Sequence, residues 1–70
     1  MSDLTQRIIR DHTCVVEGDF DELNQVMSTL SLWRMSEECK ERNVDHKWIN
    51  KLSDAQHAVM KRVNELRDAE

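Results

Sequence analysis

Seventy residues with a formal charge of −4, no proline, one glycine, one phenylalanine and two tryptophans make one domain whose core is marginal by itself, because a chain this short buries only about 60% of the surface its unfolded form exposes. No run approaches the roughly 20 apolar residues that a bilayer span requires, and MSDLTQRIIRDH has no apolar stretch of secretory type, so a cytoplasmic, reduced setting without a membrane partner is expected. Charge is uneven: up to Ser31, Arg7 and Arg10 stand against Asp3, Asp11, Glu17, Asp19, Asp21 and Glu22, whereas the remainder balances, which disfavours wrapping nucleic acid around the first half.

Abundant Glu, Lys, Arg, Leu and Met without proline is the composition of helices, and an all-α fold is expected. The first helix is expected from about Asp3 to about Glu17, with Ser2 as its cap and Leu4, Ile8, Ile9, His12, Val15 and Val16 on one broad stripe. Its β-branched Thr13, Val15 and Val16 weaken its end. Gly18 reads as a left-handed residue that terminates it. The alternative is one long helix through Gly18, since the apolar positions 9, 12, 16, 20, 23, 27 and 30 approach an unbroken heptad.

Asp19 and Glu22 form an Asp-x-x-Glu variant of the capping box, which opens a second helix from about Phe20 to about Arg42. At about 100° per residue, Phe20, Leu23, Val26, Met27, Leu30 and Trp33 share one face, and Leu32, Met35 and Cys39 lie on the far side. Asn43 is a plausible left-handed cap and Asp45 the next N-cap. A third helix over about 45–69 carries Trp48, Leu52, Ala55, Val59, Val63 and Leu66 in one stripe. Ser53 to Gln56 also reads as a capping box, but the stripe keeps its phase across it, so one helix is preferred.

A short connection between two long helices predicts an antiparallel helical hairpin with a short N-terminal helix laid across it. The second apolar side of the middle helix then needs a cover. Either the first helix folds back over it, or a second copy does, giving a dimeric helical bundle. Because one core of this size supplies no more than about 3–5 kcal/mol, a homodimer is favoured. Leu23, Val26, Met27, Leu30, Trp33, Trp48, Leu52, Val59, Val63 and Leu66 are the candidate core or dimer residues.

Catalytic equipment is sparse. His12, Cys14, Cys39, His46 and His57 are zinc-ligand types, but His12 and Cys14 point to opposite sides of a helix. Cys39 and His46 lack a third, orienting group, and no phosphate loop or serine elbow appears. Neither an enzyme nor a cofactor is expected, and Glu37, Glu38 and Glu41 beside Lys40 and Arg42 read as a solvated, charged face.

What remains is binding. Asp19, Asp21 and Glu22 around Phe20 present carboxylates with an apolar centre, suited to a partner with a basic surface, and Leu32 and Met35 add a second contact face. Lys47, Lys51, Lys61 and Arg62 are the competing feature, a basic stripe for a dimeric nucleic-acid-binding regulator. Lys51 with Asp54 and Lys61 with Glu65 are spaced for ion pairing, however, which favours a solvated face. The favoured function is a small non-catalytic protein–protein interaction module, an inhibitor or adaptor of the kind phages and plasmids carry, acting on a cellular protein such as a transcription regulator. That last comparison rests on size and style alone.

Overall fold

The structure is a computed structural model and describes residues 4–69. It is all-α, with no strand among the described residues: helix α1 (Leu4–Arg10), a 3-10 segment (His12–Glu17), helix α2 (Phe20–Glu38) and helix α3 (His46–Asp68). The most extensive interhelical contact is between α2 and α3; α1 touches both, and the 3-10 segment lies on α3.

The first helix is shorter than its apolar spacing implies. At Asp11 the backbone turns extended (φ −147°, ψ 107°), and its side chain takes the Thr13 N–H at 3.0 Å and the Thr13 hydroxyl at 2.7 Å. A short acidic side chain that captures backbone donors in this way competes with the helix and restarts it. The helix expected over 3–17 is therefore two pieces, and the continuous helix through Gly18 does not occur. The expected Ser2 cap lies outside the described residues.

Gly18 is also not left-handed. Its φ of −104° and ψ of 151° are ordinary extended values, open to any residue. The reason for glycine is space: a Cβ there would stand 2.7 Å from Leu4 Cδ2 and 3.2 Å from Leu23 Cδ2. The chain crosses between α1 and α2 at a point where a side chain would have to displace the Leu4 and Leu23 methyls.

The Asp19 and Glu22 box is formed in both directions, with the Glu22 N–H on Asp19 Oδ1 at 2.8 Å and the Asp19 N–H on Glu22 Oε1 at 3.4 Å. Helix α2 ends at Glu38 rather than near Arg42, with Cys39 as its last cap. The left-handed residue Asn43 (φ 58°) sits within the connection, and Asp45 caps α3 through the Trp48 N–H at 3.0 Å. Helix α3 runs unbroken through Ser53–Gln56.

The early end of α2 has a visible cause. Glu37 is buried, not part of a solvated face: its carboxylate accepts the Asp45 N–H at 3.0 Å and pairs with Lys40 Nζ at 3.0 Å. It ties the last turn of α2 to the cap of α3 and closes the connection. The Asp45 N–H, and then Lys40, hold its carboxyl below the ordinary glutamate value. The sign follows from linkage: a group with a depressed folded-state value stabilises the fold above its unfolded value, and that contribution fades as pH falls through the folded one. Asp11, lowered by the Thr13 hydroxyl and N–H, acts in the same acid window. Glu37→Gln should therefore lower the melting temperature by several degrees at neutral pH and flatten the loss of stability on acidification. A melting profile between pH 7 and pH 3 that matches the parent's would show that the clasp contributes nothing.

Leu4, Ile8, Leu23, Val26, Leu30, Leu52, Ala55 and Val59 form the buried core, and Ile9, Cys14, Val15, Met27, Trp33, Trp48, Val63 and Leu66 pack against its edge. Trp33 and Trp48 stack with ring centroids 6.3 Å apart, a separation at which aromatic pairs attract beyond their area. Polar contacts lace the same seam, with Gln56 Nε2 donating to Ser31 Oγ at 2.8 Å and Arg34 Nη1 to Gln56 Oε1 at 3.1 Å.

Candidate interaction surfaces

Three exposed surfaces carry the residues singled out by composition and spacing. The first is the far side of α2. Leu32 and Met35 are 64% and 61% exposed, and Cys39 beyond them is exposed too. Helix α1 does not fold back over them; Leu4 instead reaches the neighbourhood of Gly18 and Leu23. Beside Met35 lies an open depression of about 260 Å³ lined by Ser31, Arg34, Glu38 and Gln56, whose walls are fastened by the Arg34–Glu38 ion pair at 2.7 Å.

The second surface is the acidic ridge at the start of α2. Phe20 is 38% exposed, and Asp19, Asp21 and Glu22 are all exposed around it. Asp19 and Glu22 each use one oxygen in the capping box. Asp21 has no hydrogen bond or ion pair among the described residues.

The third was not anticipated as a site. Between the 3-10 segment and α3 runs an open groove of about 270 Å³, lined by His12, Thr13, Val15, Val16, Ala58, Lys61, Arg62 and Glu65. Val16, placed on the buried stripe by helical spacing, is 64% exposed here because the 3-10 winding re-aims it. Arg62 bends toward Glu65 (3.4 Å) and leaves its Nε buried without an acceptor. The expected Lys61–Glu65 and Lys51–Asp54 pairs are not made; Glu65 belongs to Arg62. Only a residue-level signal hinted at this groove: an apolar Val15–Val16 pair on a segment too rich in β-branched residues to stay α-helical.

Lys47, Lys51, Lys61 and Arg62 share one side of the unbroken α3 at about 100° per residue, but they are spread along it. From Lys47 to Lys61 is about 21 Å along the helix, and Lys61 and Arg62 face the groove, whereas Lys47 and Lys51 lie near the opposite end of α3. Met60, at 50% exposure, is a further large apolar residue left open that spacing had not singled out.

The titratable and metal-ligating groups are dispersed. Hydrogen bonding to the Glu17 carboxylate, followed by burial, raises the Cys14 thiol above its ordinary value, which disfavours the reactive thiolate. Among the described residues no three of His, Cys, Asp and Glu converge to hold a metal ion, and no helix is long and apolar enough to cross a membrane. No protein-family model matches this chain, and neither a curated protein nor a solved structure shows significant similarity to it.

Proposed function

We propose that the chain is a small non-catalytic interaction module of the inhibitor or adaptor kind. In this reading α2 and α3 make an antiparallel hairpin with α1 across it. The module self-associates, and it works in the cytoplasm on a cellular protein such as a transcription regulator. The observation that carries the reading is the open face of α2: two large apolar side chains, Leu32 and Met35, stay more than half exposed in a chain whose core is too small to waste them. Exposed apolar side chains grouped on one helix face are the usual mark of an interface. The acidic ridge around Phe20 supplies a second contact for a basic surface, where charge complementarity sets orientation and encounter rate.

The alternative, phosphate contact through Lys47, Lys51, Lys61 and Arg62, has weaker support, because Asp54 and Glu65 share the same side of α3 and Arg62 is tied to Glu65.

The test separates binding from folding. Leu32→Asp and Met35→Asp change exposed positions, where substitutions cost within about 0.5 kcal/mol, so helicity and melting should stay near the parent's. A protein retained from lysate by the parent should be lost from both variants. Equal retention by parent and variants would remove the α2 face from the mechanism.

A further inference from the structure

The groove between the 3-10 segment and α3 has an apolar floor of Val15, Val16 and Ala58, with Lys61 and the Arg62–Glu65 ion pair along its α3 side. Lys61 is exposed and makes no ion pair among the described residues, whereas the Arg62 guanidinium is engaged by Glu65 through Nη1 at 3.4 Å and its Nε lies beneath the surface. An exposed, unpaired ammonium at the rim of an apolar groove favours an approaching carboxylate. The groove therefore suits an apolar side chain with a carboxylate next to it. This chain displays that combination itself: Phe20 is exposed, and the adjacent Asp21 carboxylate is unpaired.

We propose that the groove is the docking site for a second copy of this chain, which inserts Phe20 against Val15 and Val16 and sets Asp21 against Lys61. Phe20 follows Val16 by only four residues, so ridge and groove belong to one end of the molecule, and a two-fold axis between copies lets each fill the other's groove. Reciprocity also answers the question of size. A stable pair removes about 800 Å² from each partner, more than one shallow groove provides, whereas an isologous contact engages groove and ridge of both copies together. The proposal rests on the reading of the chain as a self-associating module. It leaves the Leu32 and Met35 face free for the foreign protein, and a basic partner reaches the acidic ridge by displacing the other copy.

The experiment is a charge reversal read by light scattering and sedimentation across a dilution series. Asp21→Lys and Lys61→Glu should each raise the dimer dissociation constant by about tenfold or more, because like charges then meet across the contact. The double variant should recover most of the loss, and rising salt should weaken the parent's dimer. Phe20→Ala should weaken it without altering salt dependence, and Leu32→Asp should leave it intact. Circular dichroism of each variant reports the fold separately. A parent that stays monomeric, a dissociation constant indifferent to both reversals, or single losses that the double variant does not repair overturns the proposal. Dissociation by Leu32→Asp with no response to charge reversal also overturns it and moves self-association to α2. The interaction-module reading is judged apart from this, by whether the α2 variants lose a captured protein.

Discussion

Leu52→Ala is expected to leave the chain largely unfolded at 25 °C. Leu52 is fully buried on α3, in one cluster with Leu23, Val26 and Leu30 of α2. Truncating a leucine in such a site costs about 2–5 kcal/mol, through lost transfer free energy and the cavity left behind. A core of this size supplies no more than about 3–5 kcal/mol, so the two quantities are comparable and the folded population collapses. Far-UV circular dichroism during thermal and urea unfolding measures the effect, and Leu32→Ala is the control: the same chemical change at a 64% exposed position should shift stability within about 0.5 kcal/mol. Both should be run at several protein concentrations, because self-association adds stability by mass action and would make the midpoint rise with concentration. Equal melting of the two variants would mean that α2 and α3 are not packed around Leu52.

Gly18→Val is expected to have the next largest effect. Valine accepts a φ of −104° and ψ of 151° without backbone strain. The loss instead comes from crowding, since the first carbon alone meets Leu4 Cδ2 at 2.7 Å and Leu23 Cδ2 at 3.2 Å. Overpacking of this kind costs about 1–3 kcal/mol. Gly18→Ala should cost less, because alanine is smaller and reduced freedom of the unfolded chain returns about 0.4–1 kcal/mol. A double-mutant cycle identifies the mechanism. In a Leu4→Ala background the shorter contact is gone, and the penalty of Gly18→Ala should shrink or change sign. A penalty unchanged by Leu4→Ala would point to the backbone, as a left-handed hinge would require.

The two groove and face experiments depend on these results. If the core and the α1 crossing behave as argued, Leu32, Met35 and Phe20 are surface by construction, and their substitution reports on association rather than on folding. Glu37→Gln then measures how firmly the 39–45 connection is held.

Features governed by a few neighbouring residues were legible in the sequence. The reciprocal cap of Asp19 and Glu22, the Asp45 cap and the single unbroken α3 all involve partners within three or four positions, and the chain's local chemistry decides them. The inward stripe of α3 and the Leu23, Val26 and Leu30 face of α2 followed from periodicity alone, because burial repeats with the helix turn. The break at Asp11 is local as well, since its carboxylate takes the Thr13 N–H and hydroxyl two residues on, but the apolar spacing runs on past this capping residue and conceals it. Tertiary structure decided the rest. Gly18 answers to the crowding around Leu4 and Leu23, neither of which is a local neighbour in the helical sense. Glu37, a carboxylate in a charged run, became buried because its acceptor capacity is used by a backbone N–H eight residues away. Whether Leu32 and Met35 are covered, and whether Val16 and Arg62 line a groove, depends on where α1 and the 3-10 segment lie against the other helices. That placement is set by long-range packing, to which a side chain's position along its own helix gives no access.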